Sequence, residues 1–275
     1  MNFILSNGVK IPAIGFGTWH IKNEEEINTS ITAAINCGYN HIDTASKYAN
    51  EELIGNLLRK KGYNRNDIFI TSKLWNTDKG YQKTLDAFNE SLKRLQTDYL
   101  DLYLIHWAKT CVNWIDVNIE TWKAIEKLYN DGKIRAIGVS NFTVDALTAL
   151  IPSCKIKPMV NQIEFHPGLM QRDIVEFCKL NHILVEAWSP IGSGKMLNNQ
   201  TLNTIAHKYN KSVAQLCIKW CLQNDVLPLP KSVTPSRIIE NLDIFDFTIS
   251  NNDMNMINNM AYFAGSGMDP NIVVP

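Results

Sequence analysis

The chain has 275 residues, close to the ~250 of one (β/α)8 barrel and long for a β-sandwich. Its 45% hydrophobic content supplies a large core, and 27 basic against 27 acidic residues leave no surplus to draw nucleic acid or a cationic partner. Six cysteines without framework spacing, no apolar run of about 18 residues and a start unlike a signal peptide point to a reduced, soluble, cytoplasmic protein without membrane contact. A hairpin is expected first, from Phe3 to Ile11, because Asn7-Gly8 suits a type I′ turn. Strand-like runs then recur near 11–17, 41–45, 68–74, 100–106, 134–139, 158–164, 183–188 and 226–230, with helical patterns between them. Ile27, Ile31, Ala34 and Ile35 share one helical face, as do Trp122, Ile125, Leu128 and Tyr129. Ser212 to Gln215 has the spacing of a capping box, and Cys217 and Cys221 fall on the apolar face behind it, as core positions. Helices at 236–245 and 252–262 precede an irregular tail, 263–275. Strands alternating with helices, the later ones too continuously apolar for a one-sided sheet, predict an α/β fold: a closed parallel (β/α)8 barrel in one domain, 1–275.

Strand ends in such a barrel open on one mouth. They carry Gly17-Thr18-Trp19, Asp43, Lys73 with Trp75, His106-Trp107, Ser140-Asn141, Gln162 and Glu164, Trp188-Ser189-Pro190 and Lys231-Ser232. Asp43, Lys73 and His106 end three adjacent strands, and Tyr48 follows Asp43 on a loop. A tyrosine near pKa 10 is a poor acid at neutral pH until a cation stands beside it. Lys73 is the expected cation, Asp43 its buried counter-ion, and His106 a group to orient a carbonyl oxygen. The four together would be a general acid for an oxygen gaining negative charge. Read singly, they are also compatible with a structural ion pair, a turn, packing and a capped core histidine.

The rest of the mouth offers groups for a hydride source. Ser140, Asn141 and Gln162 suit a carboxamide, and Trp188 offers a flat face for an aromatic ring. The Gly192-Ser193-Gly194 backbone is expected to approach a pyrophosphate. Lys231 and Arg237, flanking Ser232 and Thr234, suit an extra phosphate. Neither a G-x-G-x-x-G fingerprint nor a Walker A loop is present.

Taken in order, these pieces resemble an aldo-keto reductase over essentially the whole chain. The matching stretches are Gly17-Thr18-Trp19, His41 to Ala45 with Tyr48, Thr71 to Trp75, Leu102 to Trp107, Gly138 to Phe142, Asn161 to Pro167 and Pro230-Lys231-Ser232. The resemblance implies a (β/α)8 barrel with NADPH across its mouth, Asp43, Tyr48, Lys73 and His106 as the catalytic tetrad, and Tyr48 as the acid. It implies further cofactor contacts from Gly17, Thr18, Trp19 and Asp43, from Ser189, Pro190 and Ile191, and from Glu240 and Asn241. Trp188, where many relatives carry a tyrosine, and the short tail resemble the bacterial diketogluconate-reductase and prostaglandin F synthase-like branch. Ala108 departs from that family's His-Trp-Pro. Substrate walls are expected from Trp19, Tyr48, Trp75, His106 and Trp107, from Trp114 in the following loop, and from a tail that is mobile until the site fills. The expected partner is therefore a small carbonyl compound, with small and aromatic aldehydes and dicarbonyls favoured over one sugar, and the expected assembly is a monomer.

Two other classes share parts of this pattern. In a metal-dependent hydrolase, His41 with Asp43 and Glu164 with His166 would be ligands, but no His-x-His or His-Glu-x-x-His motif supports it. A regulatory barrel would keep the nucleotide without turnover, which the intact set of four argues against.

Overall fold

The computed structural model describes residues 1–272; the last three residues of the expected tail, Val273 to Pro275, lie outside them. The chain opens with an antiparallel hairpin of β1 (Asn2–Ile4) and β2 (Lys10–Pro12), Ile4 opposite Lys10. Leu5 N bonds Val9 O and Gly8 N bonds Leu5 O. The loop is therefore Ser6 to Gly8, a turn closed by Gly8 at φ 84°, and not the two-residue type I′ turn, which needs positive φ at Asn7 as well. The longer loop lets Asn7 work elsewhere: its Oδ1 accepts from Val9 N at 3.1 Å and its Nδ2 reaches Arg135 O at 2.9 Å.

Eight parallel strands follow in chain order: β3 (Phe16–Gly17), β4 (His41–Asp43), β5 (Phe69–Leu74), β6 (Leu100–Ile105), β7 (Ile134–Ser140), β8 (Val160–Glu164), β9 (Leu184–Trp188) and β10 (Leu227–Leu229). β3 is far shorter than the expected 11–17, because residues 10–12 belong to the hairpin. First and last strands join through Gly15 N to Pro228 O at 3.1 Å and Gly17 N to Pro230 O at 3.0 Å, so the sheet is a nearly closed barrel. A Cβ at Gly15 would stand 2.5 Å from the Leu229 side chain and 2.6 Å from His41. Glycine is needed there because the seam leaves no room.

The helices between and after the strands are α1 (Glu24–Cys37), α2 (Glu51–Lys61), α3 (Tyr81–Leu95), α4 (Trp114–Asn130), α5 (Val144–Leu150), α6 (Arg172–Leu180), α7 (Gln200–Lys208), α8 (Val213–Gln223), α9 (Pro235–Leu242) and α10 (Asn251–Asn258). The capping box at α8 is formed in both directions, Gln215 N to Ser212 Oγ and Ser212 N to Gln215 Oε1. The last two helices are shorter than expected, and the tail beyond them is irregular. Every residue of β5 and β6 is buried, between the barrel interior on one side and helices on the other. Among the described residues no helix is long and apolar enough to cross a membrane.

Candidate active site

The loops after β3, β4 and β5 are tied together before any reactive group is considered. Thr18 donates to Asp43 O from its backbone N at 3.1 Å and from its Oγ1 at 2.8 Å. Asn50, which precedes α2, does not cap that helix with its side chain. Its Nδ2 reaches Thr18 O and Ile21 O, both at 3.0 Å, and its Oδ1 accepts from Thr44 Oγ1 at 2.6 Å. Ser46 Oγ donates to Lys73 O at 3.0 Å. The main chain on both sides of Asp43 is thus fixed, and a single 3-10 turn, Ser46–Tyr48, swings the phenol back over it.

Lys73 is the centre of the arrangement. Its ammonium is wholly buried and donates to Asp43 Oδ1 at 2.7 Å, Asp43 Oδ2 at 2.8 Å and Thr44 O at 2.9 Å. It also reaches Tyr48 Oη at 3.3 Å. Burial works against this cation, but the Asp43 charge, the phenol and the hydrogen bonds to both outweigh it, and its pKa is raised. Burial raises the Tyr48 phenol too; Lys73 pulls it down and Asp43 pushes it up, and the net direction is up. The cation therefore offsets only part of the burial, and the phenol holds its proton at neutral pH. His106 follows β6, with its ring 5.8 Å from that of Tyr48. Burial, then the charges of Lys73, Lys47 and Lys79, hold the imidazole well below its usual range, so it is neutral. Its Nδ1 is buried without a hydrogen-bond partner among the described residues.

The amide cluster on the far side is itself interlocked. Asn141, at φ 58°, donates to His106 O at 3.0 Å and Ser140 Oγ at 3.1 Å, and its Oδ1 accepts from Trp188 Nε1 at 2.8 Å. Ser140 Oγ donates to Gln162 O at 2.9 Å. Gln162 Nε2 donates to Asp43 Oδ2 at 2.9 Å and Glu186 Oε2 at 2.8 Å, so a bound amide would find only its oxygen. Every donor of this cluster is engaged within it, so a nicotinamide would find acceptor oxygens here for its carboxamide NH2 and the face of the half-buried Trp188, pinned from one edge, for its ring. The stretch Gly192–Gly194 is the one expected to approach a pyrophosphate. It is a tight turn in which Gly192 N bonds Ser189 O and Gly194 N bonds Ile191 O, so those two amides are already engaged. Lys231 and Ser232 are half-buried after β10, Thr234 and Arg237 are exposed at the start of α9, and Glu240 and Asn241 follow on that helix.

Of the four tryptophans expected in the substrate walls, three surround the phenol and imidazole. Trp19 lies 4.7 Å from Tyr48, Trp75 5.2 Å from His106, and Trp107 stacks near His106 at 6.5 Å. Trp114 is not in the loop: it is the first residue of α4, and its ring faces the Lys109 ammonium at 5.5 Å. Beyond Trp107 a cavity of about 260 Å³ is walled by Asn141, Trp188, Tyr262 and the tail residues Gly267 to Pro270. The tail is held there, with Ser266 donating from N and Oγ to the two Glu164 oxygens at 2.7 Å each and Gly265 O accepting from Lys195 at 2.6 Å.

Two residues that sequence reasoning passed over belong to this structure. Glu186 is a charged residue inside an otherwise apolar strand, a signal that was visible in Val185-Glu186-Ala187. Lys79 gave no signal in its polar loop, yet it is buried and donates to Trp107 O at 2.5 Å, Ala108 O at 3.0 Å and Asn118 Oδ1 at 2.8 Å. It anchors the loop that follows His106, where the expected proline is missing. Among the described residues no three His, Cys, Asp or Glu side chains stand together as a possible metal site.

The model described as Aldo/keto reductase family matches residues 13–261. The chain is 53% identical over 253 residues to a glyoxal reductase of Bacillus subtilis, covering 92% of this chain and 90% of that one. It is 40% identical to the methylglyoxal reductase DkgA of Escherichia coli, covering 97% and 95%. Among solved structures it resembles a Bombyx mori aldo-keto reductase (AKR2E4) in complex with NADP, with a TM-score of 0.86, 33% identity and coverage of 94% and 92%.

Proposed function

This chain belongs to the aldo/keto reductase family, and from that premise we propose that it reduces small aldehydes, ketones and dicarbonyls to alcohols with NADPH, Tyr48 being the general acid. The observation that carries the reading is the Lys73 ammonium, which reaches both Asp43 oxygens and the phenol oxygen. Because Lys73 donates to that oxygen, the phenol's own O–H is left to point at a carbonyl oxygen in the mouth. As the carbonyl oxygen gains charge, Tyr48 gives up its proton and Lys73 stabilises the phenolate left behind. Asp43 keeps Lys73 charged and in place. Neutral His106 can donate an N–H to the same oxygen without adding a charge. When bound, NADPH supplies the hydride to the carbonyl carbon. Trp188 would take its ring, Ser140, Asn141 and Gln162 its carboxamide, and Lys231, Ser232 and Arg237 its extra phosphate.

The flat walls of Trp19, Trp75 and Trp107 favour a compact or aromatic carbonyl, and the cation beside them is Lys47, 4.5 Å from the centre of the Trp75 ring. Relatives named as glyoxal and methylglyoxal reductases support dicarbonyls as substrates. Steady-state kinetics on aromatic aldehydes, dicarbonyls and keto-sugars, with NADPH and with NADH, tests the reading. Aldehydes and dicarbonyls are expected to lead, and NADPH to bind more tightly than NADH in tryptophan-fluorescence titrations. A keto-sugar ahead of every aldehyde by about a hundredfold in kcat/KM, roughly 2.7 kcal/mol of discrimination, would overturn the substrate class. Equal affinities for the two cofactors would overturn the preference.

A further inference from the structure

Glu186 is wholly buried on β9, two residues below Trp188. Its Oε2 accepts from Gln162 Nε2 at 2.8 Å, and the same nitrogen donates to Asp43 Oδ2 at 2.9 Å. Its Oε1 has no hydrogen-bond partner among the described residues. One NH2 group therefore stands between two carboxyl groups, while the ammonium of Lys73 is paired with Asp43 alone of the two. With Glu186 protonated, Lys73 and Asp43 balance. With Glu186 ionised, the interior holds an excess negative charge with one oxygen unpartnered, which burial makes costly.

We propose that Glu186 is a proton site linked to the oxidation state of the cofactor: it keeps its proton beside a reduced, uncharged nicotinamide and releases it to solvent beside an oxidised, positively charged one. This rests on the nicotinamide reading of the site. Trp188, the expected stacking face, is about 7 Å further along the same strand at ~3.3 Å per residue, and Gln162, the bridging amide, belongs to the expected carboxamide cluster. An ionised Glu186 would stabilise a cationic ring there and gain nothing from a neutral one. By linkage, affinity for the oxidised cofactor rises as pH rises through the titration of Glu186, and affinity for the reduced cofactor does not.

The surroundings leave this titration to Glu186. Burial, then the Asp43 charge, push its carboxyl up to about 8, with the Gln162 bond and Lys73 opposing. On the two neighbouring strands its partners in register, Gln162 and Leu227, carry no charge. Across the barrel stand Asp43 and Lys73. Nearer the mouth Tyr48 is raised and His106 lowered, so both are neutral there, and buried His41 is pushed down to about 3 by burial and Lys73. Lys79, pushed down to about 7 by burial, sits behind the Trp107 loop and is the same in any Glu186 variant.

The test is a pair of tryptophan-fluorescence titrations, with NADP+ and with NADPH, on the full chain and on Glu186→Gln between about pH 6.5 and 9.5. The dissociation constant of NADP+ should fall with rising pH in the wild type by about tenfold more than in the variant and level off above about pH 8, a fall within the limit of one decade per pH unit that one-proton linkage sets below the titration of Glu186. NADPH should give parallel profiles in the two proteins. Superimposed NADP+ profiles would overturn the inference and leave the reductase reading standing. Absence of binding by either cofactor would overturn both. If Glu186→Gln fails to fold, calorimetric titration of the wild type near pH 8 in two buffers of different ionisation heat replaces it. More protons released on binding NADP+ than NADPH support the linkage; equal numbers overturn it.

Discussion

Lys73 directs its donors to Asp43, Thr44 and Tyr48, so the only hydrogen left facing the mouth from this group is that of the phenol. Tyr48→Phe removes that hydrogen and leaves the buried ion pair untouched. We expect kcat/KM for carbonyl reduction to fall by roughly 10²–10⁴-fold, with the dissociation constant for NADPH unchanged by fluorescence; a variant that keeps most of its activity would remove Tyr48 from the acid role. His106 makes a second prediction. An imidazole held well below 6.5 stays neutral as pH falls through the ordinary histidine range, so kcat/KM should show no loss near pH 6.5 that His106→Gln abolishes. Such a loss would mean that the ring is charged in the free protein. The four residues were legible because each ends a strand or follows one. Glu186 was legible only as a charge out of place in an apolar strand. Lys79 was not legible at all, since nothing in a polar loop says that a lysine will turn inward onto two carbonyls.

At the scale of elements, the strand-helix alternation carried the architecture, and the errors fall where two structures compete for the same residues. Residues 10–12 read as the start of a barrel strand but pair with β1, which leaves β3 two residues long. Asn7-Gly8 read as a two-residue turn, yet the demand of Asn7 for the Arg135 carbonyl selects a longer loop. Trp114 read as a loop residue because the apolar period of α4 shows only further along. Helix packing offers a sharp test at Gly55 of α2, where a Cβ would lie 2.5 Å from Arg94 O and 2.7 Å from Leu95 C of α3. Gly55→Ala must push the helices apart, and urea unfolding should show a loss of about 1–3 kcal/mol; an unchanged midpoint would mean that the helices already have slack. The tail is tested separately. Ser266→Ala removes one of the two bonds to Glu164 and should raise KM for aromatic aldehydes more than it lowers kcat. An unchanged KM would show that the tail is not part of the wall.

For the molecule as a whole, the cysteines and the carboxylates lead to the same expectation. Cys178, Cys217 and Cys221 are buried thiols pushed up by burial, and none is in a disulfide. Activity should therefore survive both a reductant and dialysis against a chelator; loss on dialysis, restored by a divalent metal, would contradict this. The seam of the barrel has a consequence in time. Pro228 and Pro230 have no N–H to give, so the closing bonds run one way, from Gly15 and Gly17 to two carbonyls more than two hundred residues downstream. During synthesis the first barrel strand leaves the ribosome with no partner on that side. At 5–20 residues per second it waits roughly 10–40 s for one. Until then β3 is an unpaired edge, and the hairpin, by taking residues 10–12, and the two-residue length of β3 keep that edge short while it waits.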